Sequence, residues 1–201
     1  FSVIVSIAPI FTGILAHCFL EGEKMKKSIV LGFVCAMAGI CLITFQKGET
    51  VELNPLGDFL GVAAAAIWGV YSICSRKIAG FGYDTIITTR RTFFYGILFM
   101  LCALPFMDFH LSLSALLKPV NLGNIIYLGV GASAICFVTW NYAVKSLGAT
   151  RASVYIYGIP VVTILMSIPL LHEVITFQAM AGTVLTLVGL LISEWPFSPK
   201  K

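Results

Sequence analysis

The chain has 201 residues, 59% of them hydrophobic and only 11% charged, with a formal net charge of +4. A soluble domain carries roughly twice that share of charge, so a water-soluble globule is excluded and one integral membrane domain is expected. The surplus of positive charge does not indicate nucleic acid, because the basic residues sit in turns between apolar stretches.

A bilayer core needs about 20 apolar residues per helix. Seven stretches meet or approach that length: residues 1–20, 28–46, 57–75, 85–106, 122–144, 151–171 and 174–194. The first ends in the turn EGEKMKK. The second carries Gly32 and Gly39, small residues that let membrane helices approach closely. A polar linker, KGETVELNPLGD, follows, and Pro55 with Gly57 marks the entry to the third span. There Gly57, Gly61 and Ala65 form a small-residue stripe. Trp68, Tyr71, Ser72 and Ser75 recur at three and four residues and share one polar-aromatic face. That face is either an aromatic packing surface or a cavity wall.

The fourth span is short. After Arg91 only fifteen residues remain to Phe106, too few to cross a bilayer, so the helix must include TIITTRR. Both arginines then lie roughly 8 Å inside its end. Arg90 shares a face with Ile86, Ile87, Phe94 and Ile97, and Arg91 with Thr88, Thr92, Tyr95 and Phe99. Charge in a span faces protein or water, which makes Arg91 the site candidate. The other reading is that both arginines snorkel to the headgroups.

The fifth span is rich in glycine early (Gly123, Gly129, Gly131) and ends in WNYAVKSLGATRAS. Trp140 and Tyr142 suit either an aromatic belt or a site. The Asn141 amide is harder to leave idle in a membrane. The sixth span has no charge from Ala152 to Leu171 and holds Gly158, Pro160 and Pro169. Glu173 closes it, and the seventh span follows the HEV turn. No signal peptide is visible, and the chain is read as opening inside a helix.

The start of the chain repeats this plan. Pro9 matches Pro160, Thr12 matches Thr163 and Leu20 matches Leu171; with one residue inserted at the turn, Glu23 matches Glu173, Gly32 matches Gly182 and Gly39 matches Gly189. The first and sixth spans are thus equivalent and five apart, and an odd offset puts the two copies in opposite orientations. The expected organisation is residues 1–46 as the last two helices of a first repeat, 47–56 as linker, 57–194 as a complete five-helix second repeat, and 195–201 as a tail. The parent would have ten helices in two inverted halves, as in many secondary transporters. The turns on one side hold nine basic residues, or eleven with Arg90 and Arg91, against Lys47 and Lys118 on the other. This places the larger set, and the C-terminus, in the cytoplasm of a multi-pass cell-membrane protein.

WNYAVKSLGATRASVYIYGIPVVTILMSIPLLHE and its echo APIFTGILAHCFLEGE resemble the end of the EamA domain of the drug/metabolite transporter superfamily. LGDFLGVAAAAIWGVYSICSRK resembles the start of such a domain. The resemblance implies a ten-helix carrier that exports or exchanges small metabolites through a cavity between its halves; this chain departs from that pattern by lacking the first three helices.

The expected function is therefore secondary transport, by alternating access, of a small metabolite such as an amino acid or related solute. The alternative is a non-transporting fragment or membrane assembly subunit. An enzyme is not expected, because His17, His110 and His172 are scattered and no HExxH, GxSxG or phosphate loop is present. No metal or cofactor is expected either, and the six cysteines form no CxxC. Expected partners are the lipid bilayer and a small-molecule solute, with a homodimer left open. The candidate solute-binding residues are Arg91, Trp68, Tyr71, Tyr95, Trp140, Asn141 and Tyr157, expected to converge on one cavity. Pro160, Gly158 and Pro9 are the candidate hinge, since a proline removes a helix hydrogen bond. All nine acidic residues lie at span ends or in turns, so no midplane carboxylate offers a proton relay.

Overall fold

The computed structural model describes residues 6–23, 25–45, 54–107, 112–171 and 176–195. Residues 1–5, Lys24, most of the linker, His110, His172, Glu173 and the last residues of the tail fall outside that set. Among the described residues the chain is helical, with no strand: α1 (Ala8–Phe19), α2 (Lys27–Thr44), α3 (Pro55–Gly80), α4 (Thr85–Ala103, tightening into a 3-10 turn at Leu104–Phe106), α5, α6 and α7 (Phe177–Glu194). α5 is α-helical over Pro119–Ile126, π-helical over Tyr127–Ile135 and α-helical again over Cys136–Leu147. α6 runs from Ala149–Val154 through a 3-10 turn at Tyr155–Gly158 into Ile159–Leu171. Six of these helices are long and apolar enough to cross a membrane, and α1 is shorter within the described residues.

Local chemistry sets the boundaries. The Asn54 side chain accepts from Gly57 N at 3.1 Å and starts α3, with Pro55 where its missing N–H costs nothing. Asp84 accepts from Ile87 N at 3.0 Å and Thr176 from Ala179 N at 3.1 Å, two side-chain caps of ordinary type. α4 does include TIITTRR. Gly57, however, is exposed, and a Cβ there would meet only Asn54. The buried stripe of α3 is instead Gly61, Ala65, Gly69, Ser72 and Ile73. At Gly69 a Cβ would stand 3.2 Å from Thr12 N, so α3 meets the backbone of α1 there.

The chain divides into two compact units: Phe1–Cys74 with Leu147–Lys201, and Ser75–Ser146. In the first, α2 and α7 pack backbone to backbone. A Cβ on Gly39 would lie 2.6 Å from Gly182 O, and one on Gly189 would lie 2.7 Å from Gly32 O. No real side chain tolerates these distances, so glycine at all four positions is what lets the helices touch. The pairing also fixes direction. Going up α2 from Gly32 to Gly39 means going down α7 from Gly189 to Gly182, so the helices are antiparallel. Under the 150-residue offset Gly32 is equivalent to Gly182 and Gly39 to Gly189. The contact Gly39–Gly182 therefore maps onto the contact Gly189–Gly32, which is what a two-fold axis perpendicular to both helices requires. The repeats are inverted.

The match extends to α1 and α6. The helix Ala8–Phe19 begins one residue before Pro9, and Ile159–Leu171 begins one residue before Pro160. A cluster of Ala36, Ile40, Val154 and Tyr157, flanked by Ile29, Phe33 and Leu190, fills the space between α2, α6 and α7.

Candidate functional site

In the first unit, Trp68 and Tyr71 stand half-buried on α3 with ring centroids 5.5 Å apart, tilted by 39°. They form the aromatic pair read from their spacing. Tyr157 is only 2% exposed, 6.4 Å from the Phe33 ring, and belongs to the apolar cluster against α2. Of the hinge residues, Gly158 ends the 3-10 turn of α6, and Pro160 follows as α-helix resumes. The missing N–H of Pro160 and the change of helix type thus coincide. Pro9 is buried in the first turn of α1, where a proline removes no helix bond.

A contact within this unit was not legible in the sequence. Glu23, just past the turn glycine Gly22 (φ 89), turns its carboxylate onto the start of α6. Oε1 accepts from Ala149 N at 3.1 Å, and Oε2 accepts from Thr150 N at 3.0 Å and Thr150 Oγ1 at 3.1 Å. An anion at a helix N-terminus satisfies orphan N–H groups and opposes the positive end of the dipole. Gly148 makes room: its φ is +92, and a Cβ there would be 2.7 Å from Glu23 Oε1. The sequence shows Glu23 only as an acidic span end; its partners lie 126 and 127 residues away.

In the second unit, Asn141 is 6% exposed and is committed on both sides of its amide. Its Nδ2 donates to Thr89 Oγ1 at 2.9 Å, and its Oδ1 accepts from Ser75 Oγ at 2.7 Å. One side chain thereby ties the end of α3, the start of α4 and α5 together. Arg76 donates to Lys145 O at 2.6 Å and Val144 O at 3.4 Å, and Lys145 Nζ donates to Tyr83 O at 3.2 Å. Arg76 thus satisfies carbonyls of the last turn of α5, where positive charge is favoured, while Lys145 ties α5 to the turn between α3 and α4.

The two α4 arginines behave differently. Both are exposed, and neither makes a hydrogen bond or ion pair among the described residues. Arg90 lines a cavity of about 540 Å³ between α4 and α5, with Ile86, Phe93, Phe94, Ile97 and Gly129 in its wall. Arg91 lies one residue round the helix. Tyr95 is exposed, 5.7 Å from the Phe94 ring. Trp140 is half-buried and Tyr142 is exposed. Phe93 meets Phe137 edge-on at 5.2 Å and joins α4 to α5. The second unit thus holds Arg91, Tyr95, Trp140 and Asn141, and the first holds Trp68, Tyr71 and Tyr157.

The chain matches the EamA-like transporter family over residues 1–45 and 55–195. A protein of Archaeoglobus fulgidus named as an uncharacterized transporter is 31% identical over 192 residues, 95% of this chain and 66% of its own length. A probable terminal-alkyne amino-acid exporter of Streptantibioticus cattleyicolor is 28% identical over 95% of this chain and 62% of its own length. A crystal structure of a longer protein superposes with a TM-score of 0.79 at 21% identity, covering 96% of this chain and 65% of that one. The chain spans about two thirds of the curated relatives it matches.

Proposed function

Since the chain belongs to the EamA-like transporter family, we propose that it forms the larger part of a secondary carrier for a small metabolite such as an amino acid or related solute. The reading rests on the antiparallel pairing of α2 with α7 about a two-fold axis. Inverted halves of this kind can exchange roles, each in turn opening to one side of the membrane, which is the basis of alternating access. That one relative is named an amino-acid exporter supports the solute class.

Arg91 supplies a fixed cation for a carboxylate or phosphate, since a guanidinium pairs with either in bidentate fashion. Tyr95 and Trp140, in the same unit, cover the apolar part of the solute. Asn141 holds α3, α4 and α5 at the spacing this needs, and Tyr157 anchors α6 on α2. Gly158 and Pro160 let α6 bend where its helix type changes. Exchange or facilitated diffusion needs no acid in the spans. The C-terminus faces the cytoplasm of the cell membrane. An impermeant thiol reagent that labels a cysteine placed at Lys26, but not one at Lys118, in intact cells would reverse that orientation.

The test is counterflow of labelled neutral amino acids into vesicles. One set holds the 201-residue chain and another a chain extended to the length of its relatives. Saturable, exchange-stimulated uptake by the extended chain is expected. Uptake by neither excludes neutral amino acids as the solute and favours the alternative of a non-transporting fragment or membrane assembly subunit.

A further inference from the structure

The groove between α4 and α5 has a chemistry that solute transport does not use. Toward the start of α4 its wall holds Ile86, Thr89 and Arg90, the last a cation without a hydrogen bond or ion pair among the described residues, and beyond Arg90 the wall is apolar with Phe93, Phe94, Ile97, Ala134 and Val138. Ile97 also lines a second cavity of about 340 Å³, formed by Met100, Leu101, Ala103, Leu104 and Met107. From Arg90 to Leu104 the helix rises about 21 Å, more than the ~15 Å depth of one hydrocarbon leaflet. Past Arg90 no residue named in either lining carries a charge.

The charge around the mouth has one sign. Arg76, Lys77, Arg90, Arg91 and Lys145 gather at this end of the unit against Asp84 alone. Arg76 and Lys145 are held by backbone carbonyls, whereas Arg90 is not. A cation at the mouth of an apolar track about one leaflet deep is complementary to an amphiphile with an anionic head and a hydrocarbon tail. A free anion has no use for the track, and a neutral lipid has none for the cation. Basic hollows between membrane helices suit anionic headgroups.

We propose that this groove is a binding site for an anionic phospholipid, with its phosphate on the Arg90 guanidinium and one acyl chain lying along α4 toward Met107. Gly129 forms an open part of the wall, since nothing stands within 4 Å of where its Cβ would be. The site does not depend on the transport reading.

The experiment is native mass spectrometry of the purified chain in detergent, titrated with phosphatidylglycerol and with phosphatidylcholine of matched acyl chains. Phosphatidylglycerol is expected to bind about tenfold tighter. Arg90→Gln should remove roughly fivefold to tenfold of its affinity, while Arg91→Gln keeps the preference. Gly129→Leu should weaken both lipids by filling the track, and Gly129→Ala should leave them bound. Equal affinity for the two headgroups overturns the proposal, as does equal loss at the two arginines or indifference to Gly129→Leu. Displacement of phosphatidylglycerol by inorganic phosphate overturns it too, and assigns Arg90 to a free anion. Loss of the preference in a chain of the relatives' length means that another helix fills the groove, and that also overturns it.

Discussion

Glu23 offers a carboxylate to three donors at once, and each would be left without its partner if the side chain were cut back. Glu23→Ala should lower the stability of the purified chain by about 1–3 kcal/mol, seen as a lower midpoint of thermal unfolding in detergent. Glu23→Gln should lose less, because the amide oxygen still accepts although the charge on the helix dipole is gone. A midpoint unchanged by Glu23→Ala would show that water replaces the carboxylate without cost. Gly148→Ala should be as damaging from the other side, since it adds strain at φ +92 and a methyl group against the same carboxylate. Residue identity alone reached part of this scale. Asn141 stood out as an amide in a membrane span, but its partners Ser75 and Thr89 lie 66 and 52 residues away, and no local spacing reports a contact of that range. Tyr157 shows the opposite limit: an aromatic facing a solute and one packed in a core carry the same letter, and only the neighbouring Phe33 and Ala36 tell them apart.

At the scale of the helix, hydrophobic length made the spans legible, because a bilayer enforces length, and the four matched glycines marked faces built for close approach without telling which helices would meet. Two features escaped. The small-residue stripe of Gly57, Gly61 and Ala65 holds at Gly61 and Ala65, which are buried, but not at Gly57, which serves the helix cap at Asn54. The π-helical stretch Tyr127–Ile135 left no mark beyond a high glycine content, as lengthening each hydrogen bond from four residues to five is a change of backbone spacing that no residue type announces. The break in α6 was legible from Pro160. Replacing it with alanine restores an N–H that can bond to Ile156 O and should convert the 3-10 turn at Tyr155–Gly158 toward regular helix. Near-normal insertion with severalfold slower counterflow in the extended chain is expected. Undiminished counterflow would reduce Pro160 to a tolerated bend.

For the molecule as a whole, parity and the matched residues foretold inverted repeats, and the antiparallel contacts of Gly32 with Gly189 and Gly39 with Gly182 bear this out. The solute was not legible, because span length, parity and matched glycines report the scaffold and not the side chains that meet a solute. One arginine of α4, Arg91, serves a solute in the proposed carrier, while its neighbour Arg90 lines the apolar groove. This division of roles is tested most directly by counterflow of an anionic or zwitterionic solute through the extended chain carrying Arg91→Gln or Arg90→Gln. Losing a hydrogen bond to a charged partner costs about 1.5–3 kcal/mol. The expected result is therefore a fall of roughly tenfold to a hundredfold in apparent affinity for Arg91→Gln and little change for Arg90→Gln. Small, equal losses at both positions, or the larger loss at Arg90, would contradict it.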